Sequence, residues 1–195
     1  MNISALKKHI IGKLEKELSP KLTYHGVQHT LAVLRACEQY IKRMRIAPGD
    51  AFLLRTAAIM HDTGYLEAHD NHEERSIKYV REILPEWNYS GQQIEIINGI
   101  IRATKIPQTP TTVLEQIIGD ADLDYLGTDL FYKIGNKLFI ELKNLGAIST
   151  EEEWNKLQIA FLQKHSFHTP FAQKNREPVK QKYLKEIIDK WGRNN

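Results

Sequence analysis

The sequence predicts an all-α protein, an irregular bundle of roughly eight helices joined mostly by short loops. Three observations carry that prediction. Apolar residues recur every three or four positions through most of the chain, which is the spacing of one helix face. Connectors bearing proline or glycine, such as Ser19-Pro20, Ala47-Pro48-Gly49-Asp50 and the stretch from Lys105 to Pro110, separate those segments. No convincing alternating run of strand length and no internal repeat interrupts them.

The first segment carries Ile3, Leu6, Ile10, Leu14 and Leu18 among lysines and glutamates, and stops at Ser19-Pro20. After a short polar stretch, Gly26 marks a tight turn into a helix from His29 to about Met44, with Leu31, Leu34, Cys37 and Ile41 on one line. Asp50 is expected to cap the next helix, a nearly unbroken apolar run from Ala51 to Met60 that ends in His61-Asp62. Its alanines and leucines make it the central buried helix. A helix from about His72 to Leu84 follows. The isoleucines 94, 97 and 101 also keep helical spacing; the length from Gln92 to Ala103 favours helix over strand. Thr111 or Thr112 caps a helix running into Asp120-Ala121-Asp122. Beyond Gly127 come a segment with Leu130, Ile134, Leu138 and Leu142, a capping box at Ser149 to Glu153, and a tail stripe of Val179, Tyr183, Ile187 and Trp191.

With 195 residues, 42% hydrophobic and 26% charged, the chain has the length and make-up of one domain with a sizeable core, spanning 1–195. A net charge of +3, from 27 basic and 24 acidic residues, is too near balance to argue for nucleic acid. The lysines are dispersed and lack an interleaved aromatic platform, which ranks that class low. The single cysteine, Cys37, precludes an intrachain disulfide and fits a reducing compartment. Nothing after Met1 resembles a signal peptide, and no stretch approaches the roughly 18 apolar residues of a spanning helix. A cytoplasmic protein without a membrane segment is expected. The tail stripe suits an intramolecular contact or a second subunit equally, so a homo-oligomer stays open.

Three places put ligand-type side chains beside core helices: His29, the pair His61 and Asp62, and the acids at 120 to 124. Helices of one bundle commonly converge on an ion in this way. His29 shares a face with Val33, Ala36 and Tyr40, and His61 follows the small residues Ala57 and Ala58. Asp122 lies on an apolar line with Ile118 and Leu126, so helix phase leans toward it, with Asp120 as the competitor. Two imidazoles and two carboxylates suit iron, manganese, cobalt, nickel or zinc better than copper, and are nitrogen-rich for magnesium.

His29, His61-Asp62 and an aspartate of the 120–122 segment resemble the His…His-Asp…Asp signature of the HD-domain metal-dependent phosphohydrolases. The neighbouring residues carry the resemblance further: Tyr24-His25-Gly26-Val27-Gln28-His29-Thr30, Met60-His61-Asp62-Thr63-Gly64-Tyr65, and Asp120 to Gly127. It covers about residues 20–130, leaving 131–195 as a helical extension. It implies an all-helical fold of that type and a divalent metal (Mn, Fe, Co, Ni, Zn or Mg), one per chain, held by His29, His61, Asp62 and Asp122. It also implies hydrolysis of a small phosphomonoester or phosphodiester, often of a nucleotide. His72 resembles the first of two extra histidines that bind a second metal in some members; residues 101–106 hold no histidine for the other. Asp62 is expected to serve the metal and the attacking water, His72, Arg102 or Lys105 the leaving oxygen, and His25 and Glu73 to sit behind the ligands. Two other classes stand beside this reading: a non-catalytic metal- or nucleotide-binding regulatory module, and an iron-dependent oxygenase.

Overall fold

The computed structural model describes residues 2–193, and helices make up all of its regular structure among those residues. The first six are α1 (Ile3–Glu17), α2 (Val27–Met44), α3 (Pro48–Met60), α4 (His72–Ile83), α5 (Gly91–Arg102) and α6 (Val113–Asp122). The extension adds α7 (Phe131–Asn144), α8 (Glu151–Lys164), α9 (Pro170–Asn175) and α10 (Glu177–Arg193). Single 3-10 turns follow α3, α4 and α6. The all-α irregular bundle is therefore the fold. The count exceeds the expected eight partly because α9 has six residues, too few to show a period.

Local chemistry explains most boundaries. Ser90 with Gln93, Thr112 with Glu115 and Thr150 with Glu153 each form a capping box, and each satisfies backbone donors that the first helical turn leaves free. The box at Ser90 helps settle the isoleucine-rich segment as helix. Asp50 does not cap α3. Ala47 holds the N-cap position and Pro48 the first turn, where its missing N–H costs nothing.

α3 is the axis of the molecule. Leu54, Ala57, Ala58 and Met60 have no solvent exposure, and the helix packs against α1, α2, α5 and α6. A helix apolar nearly all round has to be surrounded, which sets the ends of its neighbours around its own C-terminus. The turn after α3 is equally constrained. A Cβ on Gly64 would run into the His72 carbonyl and lie 2.9 Å from the Arg75 Cβ. The Gly64 N–H donates to Ser76 Oγ at 2.8 Å, and that hydroxyl donates to the His61 carbonyl at 2.6 Å. The start of α4 is thus docked on the His61-Asp62 turn.

The extension is tied back by buried polar groups. Asp120 accepts from the backbone N–H groups of His168 and Thr169, at 2.7 and 2.8 Å. Gly127 allows the α10 side to approach, since a Cβ there would lie 2.6 Å from the Arg176 Cα. Of the tail stripe, Ile187 is buried and Tyr183 stacks on Phe131 at 4.4 Å. Lys180 is fully buried, paired with Glu177 at 2.9 Å and donating to the His165 carbonyl.

Burial first, and then the Lys180 ammonium beside it, hold the His165 imidazole down at about 4. The folded ring stays neutral where the unfolded chain takes up a proton, below about 6.5. Its contribution to stability is present above about pH 6.5 and lost as the pH falls through about 4, by up to roughly 3 kcal/mol. Urea unfolding at pH 7 and pH 4.5 should show that loss, and His165→Gln should remove this part of the slope. An unchanged slope would place the acid lability elsewhere.

Candidate metal centre

Three helix ends meet at the C-terminus of α3. His29 stands in the first turn of α2, His61 and Asp62 follow α3 directly, and Asp122 is the last residue of α6. These helices pack on one another, so residues 32 and 60 positions apart in sequence become neighbours. His29 Nε2 lies 2.9 Å from Asp122 Oδ1 and 3.4 Å from Asp62 Oδ2. His61 Nε2 lies 3.2 Å from Asp62 Oδ2 and 3.5 Å from Asp122 Oδ1. The two Nε2 atoms are 3.3 Å apart.

The protonation pattern follows from the surroundings. His61 Nδ1 lies 3.0 Å from the Ala58 carbonyl, which only accepts, so Nδ1 carries a proton and Nε2 faces the aspartates; burial works against charge on this ring, but Asp62 and Asp122 raise its pKa well above the usual histidine range. Its neighbour Asp62 Oδ2 is buried and has no hydrogen-bond partner. Burial works to raise both carboxyls. The imidazoles outweigh it, His61 chiefly at Asp62 and His29 chiefly at Asp122, and hold both well below the usual carboxylate range. The two carboxylates hold a proton on His61, and Asp62 Oδ2 still lacks a hydrogen-bond partner. A divalent cation answers it: the donors are of the right type, and His29, His61 and Asp122 offer atoms all within 4.8 Å of one another. Asp62 Oδ2 lies beside this cluster, near both imidazoles.

A family model described as the HD domain matches residues 26–124 of the chain. The chain belongs to the HD-domain family. It is thereby a metal-dependent hydrolase in the general sense of that superfamily. Two solved structures have the same fold along almost the whole length. A protein from an uncultured Thermotogales bacterium, named as a predicted HD superfamily hydrolase, superposes with a TM-score of 0.62 at 18% identity, covering 98% of this chain and 99% of that one. Bacillus subtilis YpgQ in complex with ADP superposes with a TM-score of 0.63 at 14% identity, covering 97% of each chain. No curated protein matches in sequence.

Around the HD centre, His72 Nε2 is 3.7 Å from Asp62 Oδ1 and 3.6 Å from Glu73 Oε1. Burial lowers the His72 pKa despite those two carboxylates. Its ring stacks on Tyr65 at 4.2 Å, and Tyr65 stacks in turn on His25 at 4.4 Å. Asp62, Asp122, His72, Glu73 and His25 line one chamber of about 240 Å³. Arg102 and Lys105 are not among its lining residues. The Arg102 guanidinium is spent on Glu74 at 2.9 Å, and Lys105 reaches Asn71 Oδ1 at 3.1 Å; both pairs are exposed. Asp120 points to the backbone at 168 and 169, away from the cluster.

Reading the sequence missed Glu141. This α7 residue is fully buried and accepts from the backbone N–H groups of Tyr24 and His25, at 2.8 and 3.0 Å, and from His25 Nδ1. Burial pushes the His25 pKa down, but the Glu141 bond and the carboxylates of the centre win, and the ring is shifted toward its charged form. Glu141 burial is likewise overcome by His25, which keeps the carboxylate ionised. A signal existed: Glu141 lies three residues after Leu138 and seven after Ile134, a charge on the apolar line of α7.

Proposed function

We propose that this HD-domain protein hydrolyses a phosphate ester of nucleotide type, with His29, His61, Asp62 and Asp122 holding one divalent cation. The observation that carries the proposal is the buried, partnerless Asp62 Oδ2 facing His61 Nε2, 3.2 Å away. When bound, the cation supplies Lewis acidity toward the phosphoryl group and activates water.

The remaining steps belong to side chains of the chain itself. Asp62 accepts a hydrogen bond from the attacking water and orients it. Attack forms the new P–O bond and breaks the bond to the leaving oxygen, which needs a proton. His25 is the donor: Glu141 occupies Nδ1, leaving Nε2 for the chamber that His25 lines. His72, whose pKa is lowered, accepts rather than donates beside Asp62. The chamber has no lysine or arginine among its described lining residues, which leaves His25 as its cationic donor.

Metal-stripped protein resupplied with Mn, Fe, Co, Ni, Zn or Mg is expected to release phosphate or a nucleoside from a panel of nucleoside phosphates and cyclic nucleotides. Cation binding without turnover on any member of the panel would favour a binding module instead.

A further inference from the structure

The centre lies between two cavities of opposite character. A groove of about 470 Å³ is bordered by His29 and Asp122 and carries Arg35 from α2 with Lys133 and Lys137 from α7, beside Asp129 and an Asp124 that is paired with Arg176. The chamber of about 240 Å³ opens from Asp62 and Asp122 and is walled by α8. Tyr24, Asp122 and Tyr125 border both. The α8 wall includes Trp154, Leu157, Gln158 and Phe161, spaced at three, four and seven along one helix face, with Leu162 beside them. Leu157 stays 47% exposed and Ile106 51% exposed, although both line the chamber. Large apolar side chains left exposed along a cavity lining suit an apolar ligand. Gln158 is the one primary amide among the described lining residues.

Building on the phosphohydrolase reading, we propose that this chamber receives the organic part of the substrate, a flat aromatic ring, and that Trp154, Gln158 and Phe161 select it. A ring among Trp154, Phe161 and Tyr125 gains stacked and edge contacts in addition to burial. The Gln158 amide offers one donor group and one acceptor to a ring edge. A phosphate chain has the opposite need. In the chamber it would lose hydration with no lysine or arginine to compensate, whereas Arg35, Lys133 and Lys137 attract it to the groove on the other side. Substrate orientation across the centre follows, with the ring under α8 and the anionic end toward α7 and α2.

Equilibrium dialysis of the full chain with AMP, phenyl phosphate and glycerol 2-phosphate, with and without Mn, tests the proposal. AMP and phenyl phosphate should bind at least about tenfold more tightly than glycerol 2-phosphate, the scale of one stacked ring. Trp154→Ala should remove most of that advantage and leave glycerol 2-phosphate unchanged, while Trp154→Phe retains it. Gln158→Leu should weaken AMP and spare phenyl phosphate. Leu157→Lys, at a half-exposed position that tolerates charge, should weaken both ring-bearing ligands and serves if Trp154→Ala does not fold. Equal dissociation constants for all three ligands, including no binding by any, would overturn the proposal, as would variants that weaken all three alike. The underlying reading fails differently: no phosphate is released from any ester while the ring preference in dialysis persists.

Discussion

Asp62→Ala is expected to abolish cation-dependent hydrolysis and to deplete the bound metal while leaving the helical fold intact. The loss should exceed the roughly 10- to 100-fold that removal of an outer partner costs a metal site, because Asp62 is assigned a direct ligand position. Stability of the metal-free protein should fall. The imidazoles hold the Asp62 carboxyl below the usual range, so its removal leaves the His61 charge without the partner 3.2 Å away. Phosphate release, metal content by plasma mass spectrometry and circular dichroism measure the three quantities. Asp122→Asn should share the loss. Asp120→Asn should keep metal and activity but lower stability, since its carboxylate bonds only to the backbone N–H groups of His168 and Thr169. Full activity in the Asp62 variant, or metal loss confined to the Asp120 variant, would refute the ligand set.

Glu141→Ala is expected to damage both folding and turnover. Its carboxylate is buried, satisfies two backbone donors and pairs with His25. Removing one partner of such a pair leaves a buried charge uncompensated and costs about 3–5 kcal/mol. If His25 delivers the proton to the leaving oxygen, kcat falls by a further factor on the order of 10² to 10⁴, the usual worth of a positioned acid. Glu141→Gln separates the two effects. Its amide oxygen can still accept from Tyr24 and His25 backbone N–H groups, which should restore most of the stability. The neutral amide does not sustain the His25 charge, so kcat should stay low with KM nearly unchanged. Recovery of kcat along with stability in Glu141→Gln would reduce Glu141 to a structural clasp and remove His25 from the reaction.

How far each part was legible in the sequence depends on the range of the interaction behind it. Helix identity was readable because period and capping are local: Ser90 with Gln93 and Thr150 with Glu153 act within one turn. The start of α3 misled, because Asp50 has a capping side chain but Pro48, two residues earlier, already begins the helix. The histidines and aspartates could be nominated from residue type, helix phase and the resemblance of three short blocks. Arg102 and Lys105 were nominated by proximity in chain order alone. The structure turns them to the surface, where Glu74 and Asn71 hold them.

The sequence by itself determined that the protein is helical, that α3 is its buried axis, and that imidazole and carboxylate groups stand at helix ends. Those properties follow from spacing and side-chain chemistry within a few residues. Tertiary structure alone decided that Asp122 rather than Asp120 faces the histidines, that Glu141 reaches back to His25, and that α8 walls the chamber. Each of these depends on which helices pack together across tens of residues. A helical period fixes the face a side chain occupies, but not the partner that face will meet.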